Sequence, residues 1–434
     1  MIRKKIIFAF VLMLIAVSLL SAQGENLTLK IAVMGQGDEI YFWFGHIGLI
    51  IQDSVTGRSS FYDYGLFSFD DDNFYLNFAF GRLLYSCGVS SLERNLLNYI
   101  RRNRDIKIYT LDVSPATAEK TLIFAENNIR PENRDYYYHH FKDNCSTRIR
   151  DIIDIITDGQ FSEQFKNTQG RLTLREHVRR HTWFSPFWNW FLSFLMGQVI
   201  DTPITVWDEM FLPAEVGNRI ENFIYTGENG ERRRLVSSVQ QVYRAPGRNV
   251  ILQTPGTQWI RNLIFSFVLS VIFGFFFVLQ GKKYYAGRLL SGISMSITGL
   301  FFGIAGLMLY FLNIFTDHDY TYQNFNMIFC TPLILASAPL GLQYVFTKKA
   351  ESQKRCEKYL RYLWGFTAFS IIVSILLNLL PQIYQKNLAD QMLMLPIALI
   401  FFLQFSGLQF ITEKIFKKKI SDEKFFSRKK HETI

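Results

Sequence analysis

Residues 260–280 read IRNLIFSFVLSVIFGFFFVLQ. This stretch is long and apolar enough to cross a bilayer, which needs about 20 mostly apolar residues. Four similar stretches follow, at residues 289–315, 326–346, 360–380 and 392–411. We therefore predict a membrane domain of five transmembrane helices over residues 258–411.

Positive charge alternates between the loops that connect these stretches. Residues 316–326 contain no Lys or Arg and residues 381–391 contain only Lys386, whereas residues 347–361 contain six. Basic loops stay in the cytoplasm, so we also expect residues 412–434, a basic tail, to be cytoplasmic. An odd number of spans then places residues 23–257 outside the cytoplasm.

The N-terminus predicts the same orientation. Three basic residues in the first five positions precede an apolar run over residues 6–20. This order is typical of a secretory signal. We predict residues 1–22 to be that signal, with an uncleaved membrane anchor as the alternative.

The net charge of +10 does not indicate a nucleic-acid partner. Residues 23–257 hold 25 basic and 28 acidic residues, so the exported part is slightly acidic. The basic excess lies among the apolar stretches, whereas a nucleic-acid-binding protein concentrates positive charge on one soluble domain. Four Cys in 434 residues also exclude a disulfide scaffold.

Residues 23–257 mix the periodicities of strand and helix, which predicts an α+β domain with a helical extension. We predict strands over residues 27–34, 46–51, 59–64, 83–89 and 107–113. We predict helices over residues 92–103, 114–129 and 144–157, and a further helix from the capping box that joins Thr173 and Glu176. An aromatic cluster over residues 183–191 favours a membrane interface, with a buried core helix as the alternative.

Cys145 is a candidate nucleophile. It lies in the first turn of the helix that we predict from Asn144, at the rim of the apolar face that includes Ile149. Exposed backbone N–H groups and the helix dipole favour a thiolate there, and Asn144 is a good N-cap. The alternatives are a structural Cys or a disulfide with Cys87.

A thiol nucleophile needs a base. His46 opens a predicted strand between Gly45 and Gly48, so a substrate or another backbone segment has room to approach. A strand imidazole that faces the start of a helix is a workable base for a thiol. Asp63, on the next strand, is the best-placed group to orient the ring, with Asp143 and His140 as alternatives.

Several motifs occur along both halves of the chain. They are GHIGL at residues 45–49, YDYGLFSFD at 62–70, NFYL at 73–76, DNCSTRIRD at 143–151, MFLP at 210–213, TDH at 316–318 and NFN at 324–326. Together they resemble the Lnb-type lipoprotein N-acyltransferases. The resemblance covers nearly all of the chain after residue 22.

The resemblance implies a papain-like exported domain of circularly permuted order, as in lecithin–retinol acyltransferases, in the bacterial inner membrane. The strand with the base precedes the helix with the nucleophile, and His46 precedes Cys145 here. The implied reaction moves the sn-2 acyl chain of a diacylated lipoprotein to the α-amine of its N-terminal Cys, with no cofactor or metal. Cys145 matches the nucleophile and His46 the base, while Asp63 is the expected third group.

The resemblance also implies substrate contacts. Tyr64 and Arg148 belong to the motifs around the catalytic residues, although Arg148 has structural pairing with Asp151 and Asp154 as its alternative. His318, Asn324 and Asn326 lie in the short exported loop of the membrane half. We expect these three residues to contact membrane lipid or the lipoprotein.

Two other functions fit the same residues. A papain-like cysteine peptidase or amidase that acts on cell-wall peptide shares the Cys, the His and the fold. An inactive membrane protein that binds lipid or lipoprotein shares the architecture alone. The apolar stretches and the exported His loop favour a lipid substrate.

Overall fold

A computed structural model of the chain describes residues 24–69, 73–281 and 284–406. The predicted signal over residues 1–22 and the predicted tail over residues 412–434 lie outside this range.

The chain divides into two compact units. Of the described residues, the first unit contains those up to Phe184 together with Thr202–Pro255, and the second contains Ser185–Asp201 and those from Gly256 onward. The first unit therefore corresponds to the predicted exported domain, apart from the segment over residues 185–201.

A seven-stranded antiparallel sheet forms the first unit, in the order β6-β4-β3-β2-β1-β5-β9. Its strands are β1 (Leu27–Met34), β2 (His46–Asp53), β3 (Ser59–Leu66), β4 (Leu84–Ser91), β5 (Ile106–Leu111), β6 (Asp135–Tyr137) and β9 (Val236–Tyr243). A separate hairpin pairs β7 (Ile224–Thr226) with β8 (Arg232–Arg234). The five predicted strands are confirmed, whereas the sequence analysis did not predict the two edge strands β6 and β9.

The helices of this part of the chain are mostly short. They are α1 (Phe74–Phe80), α2 (Leu92–Arg101), α3 (Pro115–Asn128), α4 (Cys145–Ile156), α5 (Gln160–Lys166), α6 (Leu174–His181), α7 (Pro186–Leu195), α8 (Val206–Glu209) and α9 (Pro213–Ile220). The predicted helices correspond to α2, α3, α4 and α6, and the Thr173 capping box is present.

The two faces of the sheet carry different cores. Because successive strand residues point to opposite faces, Ile47 and Leu49 of β2 share a core with Ile149 of α4. Ile50 of the same strand shares a core with Tyr99 of α2 on the other face. The face from which a β2 side chain projects therefore decides which core it lies beside, and this holds for His46, the first residue of β2.

Two buried polar pairs, one of them the ion pair of Arg180 and Glu215, join α6 to α8 and α9. His177 Nε2 lies 3.1 Å from Glu209 Oε1, and Arg180 Nη2 donates to Glu215 Oε1 at 2.5 Å. All four side chains are at most 7% exposed. Buried charges of this kind destabilise a fold unless they are paired, so these pairs fix how the helices pack.

The second unit is helical. Its helices are α10 (Gln258–Gly281), α11 (Tyr285–Phe315), α12 (Ser337–Phe346), α13 (Ala350–Leu377) and α14 (Leu388–Gln404), together with α7. Among the described residues, α10, α11 and α13 are long and apolar enough to cross a membrane, and α12 and α14 belong to shorter apolar segments. The structure therefore supports three membrane-spanning helices, and the number of five transmembrane helices stays a prediction.

The predicted third span is not one helix. It begins with 3₁₀ turns at Phe325–Ile328 and Pro332–Ala336, and regular helix starts only at Ser337. Pro332 occupies the first position of the second turn and has no N–H for a continuous helix ladder. The apolar helix over Pro332–Phe346 is consequently short.

Helix α7 packs with the second unit, although the sequence analysis placed it in the exported domain. Trp190 and Phe194 are 5% and 0% exposed, in one core with Phe302 of α11. Arg261 Nη2 donates to Asn189 Oδ1 at 3.3 Å. The inner face of this aromatic helix is therefore a core, whereas Phe187 is half exposed.

Candidate active site

Cys145 is the first residue of α4, and the cap that precedes it is complete. Asn144 Oδ1 accepts hydrogen bonds from the N–H groups of Ser146 and Thr147, at 2.8 and 3.0 Å. In return, Thr147 Oγ1 accepts from the N–H of Asn144 at 2.8 Å. This reciprocal capping box fixes the turn that carries the thiol.

The amide of Asn144 also ties this turn to the rest of the unit. Its Nδ2 donates to the carbonyl oxygens of His140 and Phe211, at 2.6 and 3.2 Å. The cap uses the N–H groups of Ser146 and Thr147 but not that of Cys145. The Cys145 N–H therefore points out of the helix start, where it can donate to a bound oxygen.

His46 and Asp63 form a hydrogen-bonded pair. His46 is the first residue of β2, and its Nε2 lies 2.9 Å from Oδ1 of Asp63 on β3. Asp63 Oδ1 also accepts the Gly65 N–H at 2.7 Å. Since a carboxylate only accepts, Nε2 of His46 carries the proton in this bond, and Nδ1 is left to exchange a proton with a thiol.

Burial and the neighbouring titratable groups act in opposite directions on the pKa of His46. Burial alone would lower the pKa of His46, but the charges of Asp63, Tyr99 and Cys145 raise it, and the net pKa lies well above the ordinary value. Burial would raise the pKa of Asp63, yet the charge and hydrogen bond of His46 hold it below the ordinary value. At neutral pH the pair is therefore an imidazolium and a carboxylate.

The imidazole projects from the sheet face that carries α2, not from the face that carries α4. His46 has the same strand parity as Ile50, and its ring lies 6.2 Å from the ring of Tyr99. His46 lies at the very end of β2, and Cys145 is among the groups that raise its pKa. That the strand end and the helix start meet at one catalytic site stays a prediction.

Gly65 makes room for the imidazole. A Cβ at this position would lie 2.6 Å from Cε1 of His46 and 3.3 Å from Oδ1 of Asp63. Only glycine leaves this space open. Any side chain at Gly65 would displace the ring from its carboxylate partner.

Cys87 does not pair with Cys145. The four Cys of the chain form no disulfide, and Cys87 is 4% exposed in the core below the sheet. Burial raises the pKa of Cys87 to about 12. The structure therefore gives no support to the disulfide alternative, and Cys87 lacks the thiolate character of a nucleophile.

Arg148 and Tyr64 line one cleft of about 360 Å³. Arg148 forms two parallel bonds to Asp143, at 2.6 and 2.7 Å, and stacks on the ring of Tyr136 at 4.3 Å. The hydroxyl of Tyr64 accepts from Asn128 Nδ2 at 3.0 Å. Arg148 thus has a structural partner, although that partner is Asp143 and not the expected Asp151 or Asp154.

His140, the other alternative to Asp63, lies in an aromatic cluster. Its ring centroid is 4.6 Å from that of Phe44 and 4.7 Å from that of Phe141. Burial, assisted by the charge of His139, lowers the pKa of His140 to about 4. Of the three groups that the sequence analysis weighed as the orienting residue, Asp63 is the one bonded to His46.

The predicted lipid-contact residues of the exported loop belong to the second unit. Asn324 and Asn326 are 3% and 0% exposed, and both donate to the carbonyl oxygen of Phe194 in α7. Asn326 Nδ2 also donates to Asp390 Oδ2 at 3.1 Å. These amides thus join α7 to the other helices of the unit. His318 is partly exposed, and its Nδ1 lies 2.9 Å from the hydroxyl oxygen of Tyr320.

Two residues beside the pair were not predicted. Tyr99 of α2 lies against His46, and Arg104, between α2 and β5, is fully buried near Tyr99. A Tyr in an amphipathic helix and an Arg before a strand carry no sequence signal that separates them from ordinary structure.

Comparison with known proteins gives two family matches. Residues 18–180 match the Lnb N-terminal periplasmic domain, and residues 256–414 match the Lnb transmembrane domain. No curated protein and no solved structure matches the chain. The matches cover six of the seven strands of the main sheet, the turn of Cys145 and the helices α10 to α14. They indicate a membrane enzyme of lipoprotein processing. The chain therefore belongs to the Lnb family, with a periplasmic domain followed by a transmembrane domain.

Proposed function

We propose that this protein is a lipoprotein N-acyltransferase that uses Cys145 as its nucleophile and His46, oriented by Asp63, as its base. The acyl donor is the sn-2 ester of the diacylglyceryl group on a lipoprotein. The acceptor is the α-amine of the N-terminal Cys of the lipoprotein, so the product is an N-acylated lyso-form lipoprotein.

The reaction has two steps through one covalent intermediate. In the first step the Cys145 sulfur attacks the ester carbonyl, a C–S bond replaces the C–O bond, and His46 gives its proton to the departing glyceryl oxygen. In the second step the amine attacks the thioester, a C–N bond replaces the C–S bond, and His46 accepts a proton from the amine. The thiolate and the imidazolium are restored.

One observation carries this proposal: Nε2 of His46, at the end of β2, lies 2.9 Å from Oδ1 of Asp63. An imidazole that is oriented by a carboxylate and keeps its other nitrogen available is the base that a thiol nucleophile needs. The N–H of Cys145, which the helix cap does not use, can stabilise the negative charge that develops on the attacked carbonyl oxygen.

The membrane domain supports a lipid substrate rather than a soluble one. We propose five crossings of the inner membrane and a cytoplasmic C-terminus, because basic and non-basic loops alternate in the sequence. The papain-like permuted order is part of the same proposal, supported by the order of β2 and α4 in the chain. A diacylated substrate would then reach the enzyme without leaving the bilayer.

The direct test is mass spectrometry of lipoprotein N-termini from cells that contain the wild-type protein, Cys145→Ser, or no copy. The proposal predicts N-acylated lyso-form termini with the wild type only. Equal N-termini in all three strains would contradict the function. Cleaved cell-wall peptide without any change in lipoproteins would instead support the peptidase or amidase alternative.

A further inference from the structure

An exposed apolar patch lies on helix α1 and on the segments beside it. Tyr75, Leu76 and Phe78 are 76%, 57% and 58% exposed, although all three belong to one short helix. Tyr41, in the connection between β1 and β2, and Phe69, after β3, are 40% and 50% exposed. We call these five residues the α1 patch.

Ring distances show that the α1 patch is continuous. The ring centroid of Tyr41 lies 5.9 Å from that of Phe69, and the ring of Phe69 lies 4.7 Å from that of Phe74. The ring of Phe74 in turn lies 5.4 Å from that of Tyr75. Tyr75 and Phe78 are three residues apart, so they are neighbours on the helix surface. The exposed side chains therefore form one surface.

The inner side of α1 is already packed. Phe74 is 7% exposed and shares a core with Leu83, Tyr85 and Tyr136. The helix has the sequence FYLNFAF, which contains no charged residue, so its outer side is apolar as well. A helix that is apolar all round is normally buried, and the outer side of α1 therefore indicates an apolar partner.

The size of the α1 patch does not suit a stable protein dimer. With about 200 Å² for each large side chain, the observed exposures leave roughly 550 Å² accessible. A standard protein interface buries about 800 Å² on each partner. Apolar patches of several hundred Å² on one chain are nevertheless often functional. The partner is therefore one that a smaller apolar contact can hold.

A lipid bilayer is such a partner, and the chain itself brings it close. The chain passes between the two units after Phe184, after Asp201 and after Pro255, and the second unit contains the membrane-spanning helices. These covalent connections keep the first unit at a high effective concentration near the membrane. A contact too small to form a protein complex can then still bind lipid.

The composition of the α1 patch also suits the boundary between headgroups and acyl chains. Tyr, Phe and Leu are typical of protein surfaces at this depth. Residues 70–72, which precede α1 in the sequence, are all Asp. Burial of apolar surface, rather than attraction to anionic headgroups, would therefore drive the binding.

We propose that the α1 patch docks into the bilayer that holds the transmembrane domain, on its periplasmic side. The inference goes beyond the proposed function, because it does not depend on the reaction that Cys145 performs. Tyr41 precedes His46 in the chain, and Phe69 follows the strand that carries Asp63. The docked patch thus brings lipid to the end of the sheet that holds the candidate base.

The test is quenching of a fluorescent label by brominated lipid. The full-length protein carries Cys145→Ser to remove the half-buried thiol, and the other three Cys are at most 4% exposed. Tyr75→Cys or Phe78→Cys is labelled with a nitrobenzoxadiazole group, and single copies are placed in nanodiscs of phosphatidylcholine. Bromine on the upper part of the acyl chains quenches the label only if the label lies within the bilayer.

Val55→Cys is the matched control for the labelled positions. Val55 is 72% exposed, close to the value for Tyr75, but it follows β2 at the opposite end of the strand from His46. We expect brominated lipid to remove most of the emission at positions 75 and 78 and little of it at position 55. Absence of quenching at positions 75 and 78, or equal quenching at all three positions, would overturn the inference.

A charge within the α1 patch tests whether its apolar character causes the docking. Leu76→Asp, with the label at position 78, should lower the ratio of docked to undocked molecules by about tenfold, because Asp is costly within a bilayer. Ile123→Asp is the control, since Ile123 is 61% exposed on α3 and its neighbour Leu122 lines a cleft together with Val55. Both side chains are exposed, so neither change disturbs a core. Quenching that Leu76→Asp leaves unchanged would contradict the proposal.

A second copy of the chain as the partner gives a different result. Single-copy nanodiscs would then leave positions 75 and 78 unquenched, whereas discs with two copies would show energy transfer between labels at position 75. That result would overturn docking to lipid. Mass spectrometry of lipoprotein N-termini tests the proposed function separately, so the two can fail independently.

Discussion

At the scale of single residues, the site depends on one hydrogen bond and on the glycine that allows it. His46 and Asp63 lie on neighbouring strands, and the Gly65 N–H holds the carboxylate while leaving space for the ring. His46 lies at the end of β2, with its ring 6.2 Å from that of Tyr99.

Asp63→Asn keeps the size of the side chain and removes its charge. The charge of Asp63 is the main effect that raises the pKa of His46 against the lowering effect of burial. Without that charge the pKa of His46 falls, so the imidazolium loses its proton at a lower pH than in the wild type. We expect N-acylation at neutral pH to fall by about tenfold, less than the roughly 10²–10⁴-fold typical of losing a general base outright, as in His46→Ala. The measurement is kcat/KM from pH 5 to 9.

The alkaline limb of that profile should move to lower pH in Asp63→Asn. Asp143→Asn is the control, because Asp143 is bonded to Arg148 and not to His46. Overlapping profiles for the wild type and Asp63→Asn would show that the carboxylate does not set the charge of His46.

At the scale of elements, the start of α4 is the part that the site needs most. Asn144 caps the helix and also bonds to two backbone carbonyls outside it. We expect Asn144→Ala to lower stability by about 1–2 kcal/mol, the upper range for loss of an N-cap. It should lower activity more than that loss of stability explains, because Cys145 loses its fixed turn.

Ser114→Ala is the matched control for that variant. Ser114 caps α3 by accepting the N–H of Thr117 at 3.1 Å, away from the proposed catalytic residues. Thermal unfolding in detergent should show a comparable loss, with activity per folded molecule preserved. Equal activity per folded molecule in both variants would mean that the Asn144 cap serves stability alone.

At the scale of the whole molecule, the number of membrane crossings is the main open prediction. We expect a reporter that is active only outside the cytoplasm to work when fused after residue 320, to fail after residue 349, and to work after residue 384. This follows from five crossings and the distribution of Lys and Arg between the loops. If only α10, α11 and α13 cross, the fusion after residue 349 is active and the fusion after residue 384 is not.

Much of this architecture is predictable because the signals are local. Alternation and capping predicted five strands and the start of α4 at Cys145, and the motifs indicated the family. The unit to which α7 belongs was not predictable, since the sequence of an apolar helix has the same pattern whether the helix packs in a periplasmic core or in a membrane domain. The burial of Arg104 was hidden for a similar reason, because burial of a charge depends on the packing of distant elements.

The most direct test of the central claim is to look for the acyl group on Cys145. Purified wild-type protein is incubated with a diacylglyceryl lipopeptide whose α-amine is blocked, so the second step cannot occur. We predict one acyl chain on the Cys145 peptide, removed by neutral hydroxylamine and absent in His46→Ala. Formation of N-acylated product from the unblocked lipopeptide, with no acyl group on Cys145 under the blocked condition, would contradict the account.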